Sequence, residues 1–235
     1  MKRTQDEIRA YWNLIYEDDP KLRVNNPDVR TYLSFGRFYH AYESAYDAAR
    51  IYDGAIVECG VWKGGAFGIM ALGVLDAGGT HPLWGFDTFT ALPDPTADDI
   101  KIGERGGTKA VGRGVTNKPG DLAATEADVH DTLSSKFKLQ MVQNVHLVKG
   151  LFADVLPQVQ NEMGPIALLR LDGDLYQSTK DCLELLYDQV EIGGKIIIDD
   201  YNSWYGCRKA VDEFRKTRKI TSPLVAYDTE WFWIK

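Results

Sequence analysis

Cysteine is scarce in this chain of 235 residues, and the three that it has, Cys59, Cys182 and Cys207, lie far apart. Such spacing forms neither a disulfide framework nor a zinc site, and it is typical of a protein of the reducing cytoplasm. The sequence also has no run of 18 apolar residues, so we expect no membrane-spanning helix. Its first 20 residues carry charges throughout, which argues against a signal peptide.

Basic residues are outnumbered by acidic ones, 27 to 34, which gives a net charge of -7. This charge argues against nucleic acid or an anionic membrane as a partner of the whole molecule. Apolar residues make up 44% of the chain, which is enough for one sizeable core. The sequence contains no internal repeat and no extended low-complexity segment, so an ordinary globular protein is expected.

Short apolar runs alternate with helical patterns from Ala55 onward. The predicted strands cover residues 55–61, 83–89, 145–150, 166–172 and 195–200. The predicted helices cover residues 65–77, 122–141, 177–190 and 207–218. Strands that are apolar on both faces are typical of a parallel sheet with helices on both sides. The alternation therefore predicts a doubly wound α/β fold with a mostly parallel sheet.

The two ends of the chain depart from this alternation. Two strand-like runs, 223–227 and 230–235, are separated by two residues only, and so short a connection permits only an antiparallel pair. Residues 1–50 form a helical N-terminal segment, which we expect to provide a lid, acceptor contacts or oligomer contacts for the main domain of residues 51–235. A glycine-rich loop over 90–121 is long for a compact domain, which indicates function or mobility.

In open α/β sheets, ligands bind beyond the carboxyl ends of the strands. The first strand ends near Glu58 and enters a glycine turn at Gly60, and the second ends near Asp87, which can accept hydrogen bonds from both hydroxyls of a ribose. This pairing indicates a nucleoside cofactor. The turn lacks the G-x-G-x-x-G fingerprint, and Trp62 stands where its second glycine would be, which argues against a pyrophosphate. Glu58 suits an ammonium group instead, as in S-adenosylmethionine (SAM).

Four carboxylates follow the fourth and fifth predicted strands: Asp172, Asp174, Asp199 and Asp200. Because these strands are expected to be neighbours, the acids would repel one another unless a cation neutralises them, and Arg170 cannot neutralise all four. Oxygen ligands without histidine or cysteine favour a hard divalent ion, Mg²⁺ first and then Mn²⁺ or Ca²⁺. The alternative is that some of these acids cap helices, for which Asp174 is the best candidate.

A divalent ion beside a SAM site indicates methyl transfer to an alcohol. The ion would lower the pKa of the hydroxyl group, and a nearby carboxylate would accept its proton. In-line transfer of the methyl group then depends largely on positioning, without a covalent enzyme intermediate. Consistent with this, the sequence contains no G-x-S-x-G nucleophile motif.

Four segments of the sequence carry a family resemblance: VECGVWKGGA (57–66), GFDTFTALPDP (85–95), LRLDGDLYQSTKDCLELLY (169–187) and GGKIIIDDYNSWYGCRKAVDEFR (193–215). Over roughly residues 30–235, the chain resembles the macrocin O-methyltransferase family of TylF, MycF and NovP type. The resemblance implies a class I SAM-methyltransferase (Rossmann-like) fold with a seven-stranded sheet. It also implies Mg²⁺-dependent methylation of a sugar hydroxyl in a glycosylated natural product or glycan, by a cytoplasmic enzyme that forms homo-oligomers.

The resemblance assigns roles by position. Asp172, Asp199 and Asp200 correspond to metal ligands, and Asp174 corresponds to the general base. The expected contacts with SAM are Glu58 and Gly60 at the methionine part, Asp87 at the ribose, Gly150 and Phe152 at the adenine, and, in addition, Val61, Trp62 and Asp172. A plain core role is the alternative for Phe152.

Acceptor specificity in this family lies in the N-terminal segment and the loop after the second strand. Aromatic side chains commonly stack on sugars, although they are also common in cores. The acceptor candidates are Tyr39, His40, Tyr201 and Trp204, the last two because they directly follow the metal pair. The basic residues of the loop, among them Arg105 and Arg113, are interpreted as solvating it.

Three other function classes compete with this interpretation. A NAD-type oxidoreductase on a Rossmann-like fold is the main alternative, and Trp62 in the turn counts against it. A metal-dependent hydrolase would use the acids but would leave Asp87 and the glycine turn unexplained. A binding module without activity is disfavoured, because four converging acids are costly to keep without a ligand.

Overall fold

The computed structural model describes residues 1–17, 26, 28–102, 108–110, 122–139 and 144–235. Numbered in chain order, the strands are β1 Ala55–Cys59, β2 Leu83–Asp87, β3 Ile100–Ile102, β4 Thr108–Ala110, β5 Val145–Lys149, β6 Ile166–Leu171, β7 Val190–Ile198, β8 Val225–Tyr227 and β9 Glu230–Ile234. The α-helices are α1 Gln5–Ile15, α2 Phe35–Ile51, α3 Gly65–Asp76, α4 Glu126–Asp131, α5 Phe152–Met163, α6 Tyr176–Leu186 and α7 Tyr205–Thr217. A π-helical turn, Thr132–Lys136, continues α4.

Seven strands form one sheet in the order β5-β2-β1-β6-β7-β9-β8. The first five pair in parallel, whereas β9 runs antiparallel to both β7 and β8. This arrangement confirms the predicted mostly parallel sheet with an antiparallel last hairpin. It also confirms that the strands before the two acid pairs are neighbours, because Leu171 of β6 lies beside Ile198 of β7.

Apolar side chains cover both faces of the sheet, as the continuous apolar runs predict. In β1, Ile56 packs into a core shared with α1, α2 and α3, while its neighbour Val57 packs into a second core shared with α5, α6 and α7. Successive residues of a strand point to opposite faces, so one short run serves both cores. The fold therefore has three layers, with the sheet in the middle.

The N-terminal segment is part of the first core. Phe38 and Tyr42 of α2 are fully buried there, and α1 contributes Ile8. Ser34 caps α2 by accepting a hydrogen bond from the amide of Arg37, which satisfies one of the free amides at the start of the helix. This packing holds the first turn of α2 close to the carboxyl ends of β6 and β7.

Three elements between the third predicted strand and the end of β7 differ from the prediction. Helix α5 was not predicted, because Pro157 lies inside it and proline usually ends a helical pattern. The helix predicted over 177–190 ends at Leu186, and β7 begins at Val190 instead of Lys195. Gly193, with a φ of 86°, lies in an irregularity of β7.

The predicted loop over 90–121 begins with ordered structure. A 3₁₀ turn at Ala97–Asp99 leads into β3, which pairs antiparallel with β4. The remaining loop residues, 103–107 and 111–121, lie outside the described residues, as do Arg105 and Arg113. In the part of the chain that the structure describes, no helix combines the length and apolar character needed to cross a membrane.

Candidate active site

A cavity of about 1270 Å³ lies beyond the carboxyl ends of β1, β2, β6 and β7, where the topology predicts a ligand. The N-terminal segment supplies its opposite wall. The cavity is lined by every residue predicted to bind cofactor or metal, by the predicted base and by one acceptor candidate, namely Glu58, Gly60, Val61, Trp62, Asp87, Gly150, Phe152, Asp172, Asp174, Asp199, Asp200 and Trp204. The structure therefore brings these residues together on one cavity, and their individual roles stay predictions.

The glycine turn after β1 is fixed by a close approach of two backbones. Gly60 has a φ of 94°, and a Cβ there would stand 1.8 Å from the carbonyl oxygen of Asp172. Gly64 ends the turn with a φ of 85°. Trp62 between them has a φ of 47°, which is uncommon for a residue other than glycine. The turn thus lies directly against the loop that carries the acids after β6.

The carboxylate of Asp87 holds the glycine turn from the side of β2. Its Oδ2 accepts hydrogen bonds from the amides of Val61, at 2.9 Å, and Trp62, at 2.8 Å. Its Oδ1 accepts the amide of Phe89 at 2.9 Å. Thr88 Oγ1 also lies 3.4 Å from Oδ1, but its one proton has a closer acceptor in the carbonyl oxygen of Ala91, at 2.7 Å. Because an ionised carboxylate has about four acceptor positions, Asp87 keeps one of them for a donor from the cavity. The sequence did not predict this bracing role.

Glu58 is a buried acid with one unused oxygen. Its side chain is 1% exposed, and Oε1 accepts a hydrogen bond from Arg170 Nη1 at 2.6 Å. Oε2 has no hydrogen-bond partner within the described residues, although Glu58 lines the cavity. Burial raises the pKa of Glu58 to about 8, while the guanidinium of Arg170 acts to lower it. A cation that reaches Oε2 would satisfy this oxygen and stabilise its charge.

Three acids form the centre of the cavity floor. Asp172, Asp199 and Asp200 each offer a carboxylate oxygen, and these oxygens lie within 4.8 Å of one another. Arg170, which is fully buried, donates to Asp172 Oδ2 at 2.8 Å and to Asp199 Oδ1. The prediction that Arg170 cannot neutralise all four acids is consistent with these bonds, because it pairs with two of them and with Glu58.

Asp174 lies beside this group in a left-handed conformation, with a φ of 58°. Its amide donates to Asp200 Oδ2 at 3.1 Å. Burial, together with the charges of Asp172 and Asp199, raises the pKa of the Asp174 carboxyl well above its ordinary value, and a hydrogen bond from Trp204 acts in the opposite direction. Burial and the charge of Asp174 likewise raise the pKa of Asp200. The negative charge of these carboxyl groups is thus not fully balanced by the nearby cations.

Asp174 is not the cap of α6. The amide of Tyr176, the first residue of the helix, donates to Asp99 Oδ1 at 2.6 Å. Asp99 is 1% exposed, comes from the start of the long loop and lines the cavity. The side chain of Asp174 therefore does not cap the helix and lines the cavity, and no pattern in the sequence indicates that a residue 77 positions away caps this helix.

The N-terminal segment contributes two residues that the sequence did not predict. Arg37 Nη1 donates to Asp199 Oδ2 at 2.6 Å, and Nη2 donates to the carbonyl oxygen of Tyr32 at 3.2 Å. The ring of Tyr32 stacks on Trp62, with centroids 4.6 Å apart and planes 21° apart. Both residues line the cavity, so this segment connects the glycine turn with the acids.

The structure places three acceptor candidates away from the cavity wall. His40 is 4% exposed and lies behind it, with Nδ1 2.5 Å from Glu230 Oε1 and Nε2 3.2 Å from Lys195 Nζ. Tyr39 packs against the first core. The hydroxyl of Tyr201 donates to Asp212 at 2.7 Å, on the side of α7. These positions correct the expectation that all four candidates face an acceptor, since of the four only Trp204 lines the cavity.

A profile of the macrocin O-methyltransferase (TylF) family matches residues 40–235. Two curated relatives come from Streptomyces. Demethyldecarbamoylnovobiocin O-methyltransferase of Streptomyces niveus is 35% identical over 179 residues, which cover 75% of this chain and 64% of that protein. The 8-demethyl-8-(2,3-dimethoxy-alpha-L-rhamnosyl)-tetracenomycin-C 4'-O-methyltransferase of Streptomyces olivaceus is 34% identical over 189 residues, which cover 77% and 65%. The chain thus spans just under two thirds of the length of each relative.

The solved structure of the O-methyltransferase NovP is similar over almost its whole length. It superposes with a TM-score of 0.78 and 26% identity, covering 99% of each chain. Its likeness confirms the predicted class I methyltransferase fold of this chain. The cavity at the carboxyl ends of the strands is thus a candidate site on a scaffold shared with O-methyltransferases.

Proposed function

The chain belongs to the macrocin O-methyltransferase (TylF) family, and on that premise we propose that it transfers the methyl group of SAM to a sugar hydroxyl of a glycosylated small molecule, with the help of a divalent ion. The observation that carries this proposal is the position of Glu58 and the three acids on one cavity. Glu58 offers an unused buried oxygen for a cationic cofactor, and the acids offer oxygens for a hard cation.

The proposed cofactor contacts follow from the shape of the turn. The ammonium group of SAM would reach Glu58 Oε2, and its methionine part would lie along the turn at Gly60, which lines the cavity. The ribose would use the remaining acceptor capacity of Asp87. The adenine would lie near Gly150 and Phe152, which line the same cavity. Trp62 in the turn disfavours the pyrophosphate of NAD.

The residues on the floor fit a divalent ion. Five carboxyl groups meet two guanidinium groups there: Glu58, Asp172, Asp174, Asp199 and Asp200 against Arg37 and Arg170. When they are ionised, negative charge is left over, and their oxygens are the ligands that Mg²⁺ prefers. Asp172, Asp199 and Asp200 would hold the ion. When bound, it supplies Lewis acidity that makes an alcohol easier to deprotonate.

Asp174 is the proposed general base. Its raised pKa makes its carboxylate a better proton acceptor than an ordinary aspartate. The hydroxyl oxygen would bond to the methyl carbon as the bond from that carbon to sulfur breaks, with the electron pair of that bond left on sulfur. The hydroxyl proton would pass to Asp174, and S-adenosylhomocysteine would leave as a thioether. Trp204, which contacts Asp174 and lines the cavity, would help to orient the sugar.

Radiolabelled SAM and a panel of glycosides test this proposal. We expect methyl transfer to a sugar hydroxyl of at least one glycoside, loss of transfer with EDTA, and recovery on addition of Mg²⁺. Calorimetry distinguishes the proposal from the alternative of a NAD-type oxidoreductase. An oxidoreductase would bind NAD, whereas the proposed methyltransferase would bind S-adenosylhomocysteine. Binding of NAD alone would overturn the proposal.

A further inference from the structure

Arg37 differs from Arg170 in where it comes from. Arg170 is fully buried on β6, within the sheet that carries the acids, whereas Arg37 reaches Asp199 from α2 across the cavity and its side chain is 15% exposed. The two arginines take different oxygens of Asp199, Oδ1 and Oδ2 respectively. Asp199 is therefore held by one cation from the sheet and by another from the N-terminal segment.

We infer that Arg37 is a positioning residue that occupies Asp199 Oδ2 until a divalent ion binds the three acids, and that it thereby couples the N-terminal segment to ion binding. This inference rests on the metal part of the proposed function. It concerns a residue outside the acids themselves, which the family resemblance did not assign.

The charges around Asp199 indicate that Arg37 competes with a divalent ion and does not help to hold it. A guanidinium that is bonded to a metal ligand lies close enough to the ion to repel it. If the ligand stays in place without the guanidinium, this repulsion outweighs the loss of the hydrogen bond. Asp199 does stay in place, because Arg170 holds Oδ1 and its amide bonds to the carbonyl oxygen of Leu171 at 2.9 Å. Removal of the Arg37 charge should therefore strengthen binding of a divalent ion.

The other contacts of Arg37 connect Asp199 with the glycine turn, where the cofactor is proposed to bind. Its Nη2 bonds to the carbonyl oxygen of Tyr32, and the ring of Tyr32 stacks on Trp62 of the glycine turn. Nε of Arg37 has no hydrogen-bond partner in the described part of the chain. The guanidinium of Arg37 is therefore held there by Asp199 and Tyr32. When an ion takes Oδ2, the start of α2 loses its link to the sheet at this point.

Titration with Mn²⁺ tests the inference without a turnover assay. Calorimetry or the electron paramagnetic resonance of free Mn²⁺ gives the Kd of the wild type, of Arg37→Gln and of Arg37→Lys. The matched control is Arg50→Gln, which removes the same charge from the exposed far end of the same helix. We expect Arg37→Gln to bind Mn²⁺ roughly tenfold more tightly than the wild type, and Arg37→Lys and Arg50→Gln to bind it like the wild type.

An unchanged or weaker affinity in Arg37→Gln would overturn the inference while leaving the metal site intact. A wild type that binds no Mn²⁺ would overturn the metal part of the proposed function as well, so the two failures are distinguishable. Binding of S-adenosylhomocysteine by each variant shows that it is folded.

A measurement on the wild type alone covers the case in which Arg37→Gln does not fold. Hydrogen exchange of the amides over residues 31–38 should become faster when Mn²⁺ is added, because the link from Arg37 to Asp199 is lost. The amides of α3 serve as the internal reference and should not respond. Equal exchange over 31–38 with and without Mn²⁺ would contradict the coupling.

Discussion

The carbonyl oxygen of Asp172 lies against Gly60, 1.8 Å from where a Cβ on that glycine would stand. Gly60→Ala should therefore separate β1 from the loop after β6 and also strain a backbone with a φ of 94°. We expect the free energy of unfolding to fall by about 3 kcal/mol or more. Chemical denaturation measures this loss, and calorimetry should show that binding of SAM is lost.

Gly78→Ala is the matched control for this substitution. Gly78 also has a positive φ, 78°, but no atom lies within 4 Å of its Cβ position. Only the conformational cost should remain, roughly 1 kcal/mol. Equal losses in the two variants would show that the contact with Asp172 contributes nothing to stability.

Glu58→Gln should weaken the binding of SAM by roughly tenfold or more, because it removes the charge that would face the ammonium group. Calorimetry with SAM gives the Kd. Glu230→Gln is the control, since Glu230 is also buried and also has an oxygen without a partner in the described structure, but it does not line the cavity. Weaker binding in both variants to the same degree would contradict a direct contact of Glu58 with the cofactor.

Asp200→Asn should lower the affinity for Mn²⁺ at least about tenfold and leave the binding of S-adenosylhomocysteine nearly unchanged. Asp200 is the best of the three acids for this test, because no arginine pairs with it in the described structure and its loss leaves no guanidinium unpaired. Asp181→Asn removes a carboxylate from another part of the cavity lining and should bind Mn²⁺ normally. Normal binding by Asp200→Asn would place the ion elsewhere.

Asp174→Asn should reduce kcat by roughly 10²-fold or more while the Kd of SAM stays the same, since an amide cannot accept the hydroxyl proton. The shape of the side chain is preserved, and the backbone amide of residue 174 can still donate to Asp200. Single-turnover transfer of a labelled methyl group isolates this step. An unchanged rate would mean that Asp174 only supports the loop.

The carboxyl ends of the strands could be predicted from the sequence because each depends on a short, continuous pattern. The runs before Glu58, Asp87, Asp172 and Asp199 are apolar on both faces, which fixed their place in the middle of a parallel sheet. Once those strands are adjacent, their following residues must meet at one edge. The part of the cavity lining that follows these strands needed no longer-range information than this.

Contacts between distant parts of the chain were not predictable in the same way. Arg37 meets Asp199 across 162 positions, and Asp99 meets Tyr176 across 77, and neither pair leaves a periodic signal. The sequence predicts His40 as an acceptor residue because the family resemblance places acceptor specificity in the N-terminal segment. Its burial against Glu230 and Lys195 depends on how α2 lies on the sheet, which local sequence does not specify.

The carboxylate of Asp87 both lines the cavity and holds the glycine turn in place. Its carboxylate already receives the amides of Val61 and Trp62, so its exchange for another acid or an amide would displace the turn that lines the cavity. Because both donors are backbone amides, which every residue except proline provides, the side chains at 61 and 62 are free to vary in this respect and the constraint falls on Asp87 alone.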